Sequence, residues 1–112
     1  MYKLTVIYGQ LSSPDEFDYD YYVTKHIPLA VAKLKARRAE VDRFVSNPQG
    51  GEQPFHVIAH LYFDSQEELM KGMTSPDAAP VMADIPNYYK GKSIRMAVTE
   101  CREYAPSGRE GR

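Results

Sequence analysis

A single cysteine, Cys101, stands in a chain of 112 residues, so an internal disulfide is excluded and stability has to come from packing. No charged segment followed by an apolar one opens the chain at Met1 to Gln10, and the two absences together imply a reducing, cytoplasmic setting. No apolar run approaches the roughly 20 residues that cross a bilayer, which implies a soluble protein. Charge of one sign is also missing: 14 Lys and Arg face 15 Asp and Glu, a formal charge of -1. Neither a nucleic-acid footprint nor an acidic disordered tail fits that balance. There is no internal repeat, and Gly50-Gly51 lacks the lysine and Ser/Thr that complete a phosphate loop, which disfavours nucleotides. Ala105 to Arg112, with Pro106, Gly108 and Gly111, reads as a tail behind one domain over residues 1–104.

What is present has clear periodicity. Tyr2, Leu4, Val6 and Tyr8 alternate with Lys3, Thr5 and Ile7, and Gly9 closes the run, which predicts a strand. Ser13-Pro14-Asp15-Glu16 supplies a capping serine, a proline at the first helical position and acids at the positive end of the dipole. The predicted helix carries Phe17, Val23, Thr24, Ile27, Ala30, Val31 and Leu34 on one stripe and ends in the basic turn Lys33 to Arg38. Pro28 has no N–H for the carbonyl of Thr24 and disfavours helical geometry at Ile27, so a kink or break is expected around His26.

Glu40 to Ser46 alternates again, Asn47 to Gly51 reads as a loop, and Phe55 to Phe63 reads as a third strand. On that strand Phe55, Val57, Ala59, Leu61 and Phe63 share one face, with His56, Ile58, His60 and Tyr62 on the other. Ser65-Gln66-Glu67-Glu68 caps a short helix through Met73, and Ser75-Pro76-Asp77 restarts a turn to about Met82. Past Pro86, Tyr88-Tyr89 and Gly91, the last strand sets Ile94, Met96 and Val98 against Arg95, Ala97 and Thr99.

The order β-α-β-β-α-β predicts an α+β fold of the ferredoxin-like type, a four-stranded antiparallel sheet with both helices on one face. The other face, with Ile7, Ile58 and Tyr62 among Thr5, His56 and His60, is too apolar to lie in water as a continuous surface. A homodimer packing the two sheets face to face is expected, with His56 and His60 bonding across the two-fold.

Phe17, Tyr22 and then Lys25-His26-Ile27-Pro28-Leu29 resemble the F-x(4)-Y-x(3)-H-x-P-L signature of EthD-domain proteins. His56 to Ser65 is similar to that family's third strand and helix cap, and Ser75-Pro76-Asp77 and Asp84-Ile85-Pro86-Asn87-Tyr88 resemble its second-helix region. The match spans residues 2–104. The family takes its name from ethyl tert-butyl ether degradation and belongs to the dimeric α+β barrel superfamily, so the resemblance implies that fold and its dimer. Relatives on the fold include cofactor-free monooxygenases, muconolactone isomerases, polyketide dehydratases, haem-degrading enzymes and proteins with no assigned activity. Fold does not select among these.

His26 is the strongest candidate catalytic residue, because an imidazole exchanges protons near neutrality and an interrupted helix turn leaves it facing a cleft. The bland alternative is that it caps a carbonyl freed by Pro28. Tyr22, four residues earlier, lies on the same side, with Tyr19 nearby. A mostly apolar pocket between sheet and helices is expected, lined by Tyr8, Tyr22, His26, Leu29 and Tyr88, and a cavity of about 300 Å³ or more there would favour ligand chemistry. His26 would then be a general acid or base on a lactone, phenol or hydroxyquinone, with a tyrosine hydroxyl steadying the oxyanion and no cofactor. The rival is a non-catalytic binding or accessory protein holding the same kind of small organic molecule. His56 and His60 sit two apart on a strand, a spacing that suits a metal, but no carboxylate or thiolate completes a set, so no metal is assigned. Asp18 and Asp20 are explained by the helix dipole.

Overall fold

The computed structural model describes residues 1–104; Ala105 to Arg112, expected as a tail, lie outside the described residues. Four strands, β1 (Tyr2–Tyr8), β2 (Arg38–Arg43), β3 (Val57–Phe63) and β4 (Ile94–Glu100), form one antiparallel sheet in the order β2-β3-β1-β4. Helical segments α1 (Tyr19–Tyr21), α2 (Ile27–Leu34), α3 (Gln66–Thr74) and α4 (Ala79–Ala83) pack on one side. This is the ferredoxin-like arrangement. The register pairs Leu4 with Leu61, Val6 with Ala59 and Tyr8 with Val57, so the alternation of β1 and β3 delivers six buried side chains to the helical layer. Gly72 of α3 lies where a Cβ would stand 2.5 Å from the carbonyl oxygen of Leu34, so glycine sets how closely α3 approaches α2.

The first helix departs from expectation at both ends and in the middle. Ser13 opens only a 3-10 turn, Pro14–Glu16; Phe17 is extended and bridges Tyr89, and Asp18 is the true cap, its Oδ1 accepting from the Tyr21 N–H at 3.0 Å. Pro28 does not break the helix. Instead the turn before it, Tyr22–His26, widens to π geometry, with the Ile27 N–H reaching the carbonyl of Tyr22. The missing proline donor is absorbed by a shift to i→i−5 bonding. Widening moves the buried face: Tyr22, His26, Ala30 and Leu34 are buried at four-residue intervals, while Val23, Ile27 and Val31 are half-buried and Thr24 is exposed. The helix then stops at Leu34, because Lys35 adopts a left-handed cap at φ 61°. The chain therefore enters β2 at Arg38, earlier than the expected Glu40, and β3 begins at Val57, after the expected Phe55.

The outer sheet face is held largely by polar contacts within the protomer. Tyr62 donates to Glu40 Oε1 at 2.7 Å beneath the Arg38 guanidinium, which lies 3.8 Å from its ring centre and pairs with Glu40 at 2.8 Å. His60 lies between Thr5 Oγ1 and Asp42 Oδ2, each at 3.3 Å. Ile7 and Ile58 are directly opposite each other and half-buried. His56 does not join His60 on this face: it precedes β3 and packs edge-on against Phe17, ring centres 4.9 Å apart. The two histidines therefore do not share one face of the sheet within the protomer.

Candidate functional site

Three separated stretches of sequence meet beneath the π turn. The turn presents Tyr22 and His26 to the core, β1 ends at Tyr8, and the 3-10 turn Ile85–Asn87 that follows α4 is flanked by Asp84 and Tyr88. Without the widened turn His26 would lie at the edge of the apolar stripe; with it the ring is 6% exposed.

His26 Nδ1 lies 2.9 Å from Asp84 Oδ2. The other carboxylate oxygen, Oδ1, accepts from the Tyr21 hydroxyl at 2.6 Å and from Asn87 Nδ2 at 2.9 Å. Both oxygens of Asp84 thus face donors, which requires His26 to carry its proton on Nδ1 and leaves Nε2 as the acceptor. On that side the Tyr88 hydroxyl is 3.3 Å from Nε2, and the Tyr8 hydroxyl is 2.5 Å from that of Tyr88. The result is a continuous series, Asp84, His26, Tyr88, Tyr8, running from a helix end into the core. The rings also pack: Tyr22 stacks on His26 at 5.5 Å and 16°, and Tyr88 is 4.4 Å from His26.

Burial sets the protonation states. Desolvation lowers the His26 pKa below the ordinary histidine range, against the opposing pull of Asp84, so the ring is neutral at pH 7. Burial would push Asp84 up, but the hydrogen bonds from Tyr21, Asn87 and His26 together outweigh it and hold the carboxyl below its usual value. Tyr8, Tyr22 and Tyr88 are all pushed up by burial and keep their protons. A neutral base held in one tautomer beside protonated phenols is an arrangement suited to taking a proton from a carbon acid and steadying the oxyanion formed.

Of the residues expected to line a pocket, Tyr8, Tyr22 and His26 do line one, between sheet and helices. Tyr88 acts through its contacts with His26 and Tyr8, and Leu29 is half-buried at the core rim, outside the cavity wall. The cavity is about 40 Å³, far below the expected 300 Å³. The reason is that aromatic rings fill the space: Phe17, Tyr8, Tyr22 and Tyr88 all pack within 6 Å of one another. Its outer wall includes Met73, Met82 and Met96, of which Met82 and Met96 are 46% and 41% exposed.

Sequence reasoning missed Asp84, Tyr21 and Asn87 as members of the site. The signal available was the run Asp84-Ile85-Pro86-Asn87-Tyr88, but nothing local ties it to His26, 58 residues away. Asp18 is the helix cap, as read from the dipole, and Asp20 is exposed. Among the described residues no three His, Cys, Asp or Glu side chains converge to hold a metal, and no helix is long and apolar enough to cross a membrane.

The family model of the EthD domain matches residues 12–92, a span that contains the π turn, His26, Asp84 and Tyr88. An uncharacterized 11.0 kDa protein encoded in the thcB-thcC intergenic region of Rhodococcus erythropolis is 30% identical over 103 residues, covering 89% of this chain and 94% of that one. The crystal structure of an ethyl tert-butyl ether degradation (EthD) family protein from Bacillus halodurans C-125 superposes with a TM-score of 0.75 at 26% identity, over 91% of this chain and 99% of that one. An EthD-like protein from Ralstonia eutropha JMP134 gives 0.77 at 24% identity, over 88% and 89% of the two chains. With the motif, the matched span and the fold in agreement, the chain belongs to the EthD family.

Proposed function

We propose that the protein is a homodimer that binds a small apolar or aromatic organic molecule and moves one of its protons with His26, with no resident cofactor, as an isomerase, dehydratase or monooxygenase of this fold would. The observation that carries this reading is the buried series Asp84, His26, Tyr88, Tyr8, of which His26 and Tyr8 reach the wall of an apolar cavity. Asp84 fixes the tautomer and His26 Nε2 takes the proton. The Tyr8 hydroxyl, bonded to that of Tyr88, donates to the oxygen on which charge develops. Entry lies between Met73, Met82 and Met96, whose unbranched thioether side chains rearrange at small cost. Pairing of two chains is supported by the outer sheet face, where Ile7 and Ile58 are only half covered and Ala97 is exposed.

The test is deuterium exchange, followed by NMR, from two carbon acids in D₂O, an unsaturated γ-lactone and a hydroxyanthrone. Wild-type protein should accelerate exchange of at least one by roughly 10² to 10⁴, and His26→Ala should remove that acceleration while remaining folded. Equal rates for the two proteins would overturn the assignment of His26.

The Tyr88 hydroxyl already lies 3.3 Å from His26 Nε2, the atom that would take the proton, which favours a second reading, a binding or accessory protein that holds such a molecule without turning it over. It predicts saturable binding with no exchange in the same samples.

A further inference from the structure

A second and much larger cavity, about 540 Å³, opens at the other end of the core, between the segment that follows β1, the start of the first helix, the end of β2 and the segment leading into β3. Its size falls within the range of small-molecule sites. Phe17 separates it from the His26 series: one side of that ring packs on Tyr8, Tyr22 and Tyr88, the other meets His56 at the cavity. Tyr19 and a perpendicular pair, Phe44 and Phe55, at 5.8 Å add aromatic surface, and the polar segments Gln10 to Pro14 and Gly51 to Gln53 complete the walls.

The chemistry of this space is defined by one cation. The Arg43 guanidinium lies 4.5 Å from the Tyr19 ring centre and forms no ion pair among the described residues. With one side of the guanidinium over the ring, its N–H edge is left for an acceptor. His56, beside it, is held neutral by burial and by the charge of Arg43. Among the described residues Glu52 is the only acid in the walls. A guanidinium held on one aromatic ring, Tyr19, within a cleft that three others line suits a flat ligand with a single acidic group.

We propose that this cavity binds a planar aromatic carboxylate, the acid on Arg43 and the ring between Phe17, Tyr19, Phe44 and Phe55. The site goes beyond the proton-transfer reading and does not require His26 to react. The probe is 2-naphthoate, with 2-naphthamide as its uncharged match, titrated into the full chain with amide shift mapping by NMR and affinities by calorimetry. Saturable shifts are expected over Leu11 to Tyr19 and Arg43 to His56, with the carboxylate bound at least about tenfold more tightly than the amide. Arg43→Gln, an exposed position whose folding is checked by its thermal midpoint, should erase that preference; His26→Gln should leave it intact, which separates failure here from failure of the His26 reading. Shifts centred on Met82 and Met96, an undiminished preference in Arg43→Gln, or no saturable shift at millimolar probe would each overturn the proposal.

Discussion

Asp84→Asn tests the site most directly, because it keeps volume and changes one oxygen to NH₂. In the native protein Oδ1 receives two donors, from Tyr21 and Asn87, and Oδ2 receives one, from His26. The amide has a single acceptor oxygen, and placing it toward Tyr21 and Asn87 leaves the NH₂ facing His26 Nδ1. That contact is relieved only if His26 moves its proton to Nε2, where it meets the Tyr88 hydroxyl and reverses the direction of that hydrogen bond. Three charge-assisted bonds become neutral ones, at about 0.5–1 kcal/mol each from the difference between charged and neutral hydrogen bonds, a total of roughly 1.5–3 kcal/mol. At about 4–8 °C per kcal/mol for a domain of this size, the thermal midpoint should fall by roughly 6–24 °C. The assay is urea unfolding together with ¹⁵N-resolved imidazole spectra, which report which ring nitrogen carries the proton. A variant that keeps the Nδ1–H tautomer and lies within about 0.5 kcal/mol of wild type would refute the hydrogen-bond directions given to Asp84.

Stability should fall as pH drops from about 7 toward 5, since the unfolded chain takes up a proton on His26 near pH 6.5 and the fold disfavours it. His56 acts in the same direction, so urea midpoints of His26→Gln and His56→Gln should each be less sensitive to pH than wild type, and an unchanged slope in His26→Gln would contradict burial of a neutral ring. Acidification through the carboxylate range should cost more again, because the lowered Asp84 pKa stabilises the fold only above that range. Gly72→Ala places a methyl group 2.5 Å from the Leu34 carbonyl oxygen, and the resulting shift of α3 should cost roughly 1–3 kcal/mol in spite of alanine's better helix propensity, measured by urea unfolding. Ile58→Asp sets a second carboxylate opposite Asp42 on the sheet face; wild type should sediment as a dimer and this variant as a monomer, and a monomeric wild type at micromolar concentration would remove the proposed pairing.

The periodicities of two for the strands and near four for the helices were enough to read the element order, the ferredoxin-like topology and which face of β1 and β3 is buried, because each depends on neighbours within a few residues. The motif through Phe17, Tyr22, His26, Pro28 and Leu29 likewise pointed to the family and to His26 from local spacing alone. Tertiary structure decided the rest. Whether Pro28 breaks a helix or widens it depends on what the turn packs against, and here a core of Phe17, Tyr8 and Tyr88 receives the extra residue and draws His26 inward. The partner that fixes its tautomer comes from Asp84, 58 residues on, and such a pairing leaves no periodic trace in either segment. Cavity size was equally out of reach, since it is what remains after aromatic rings from four elements have packed, and the same residues filled the space beside His26 while leaving the far side of Phe17 open.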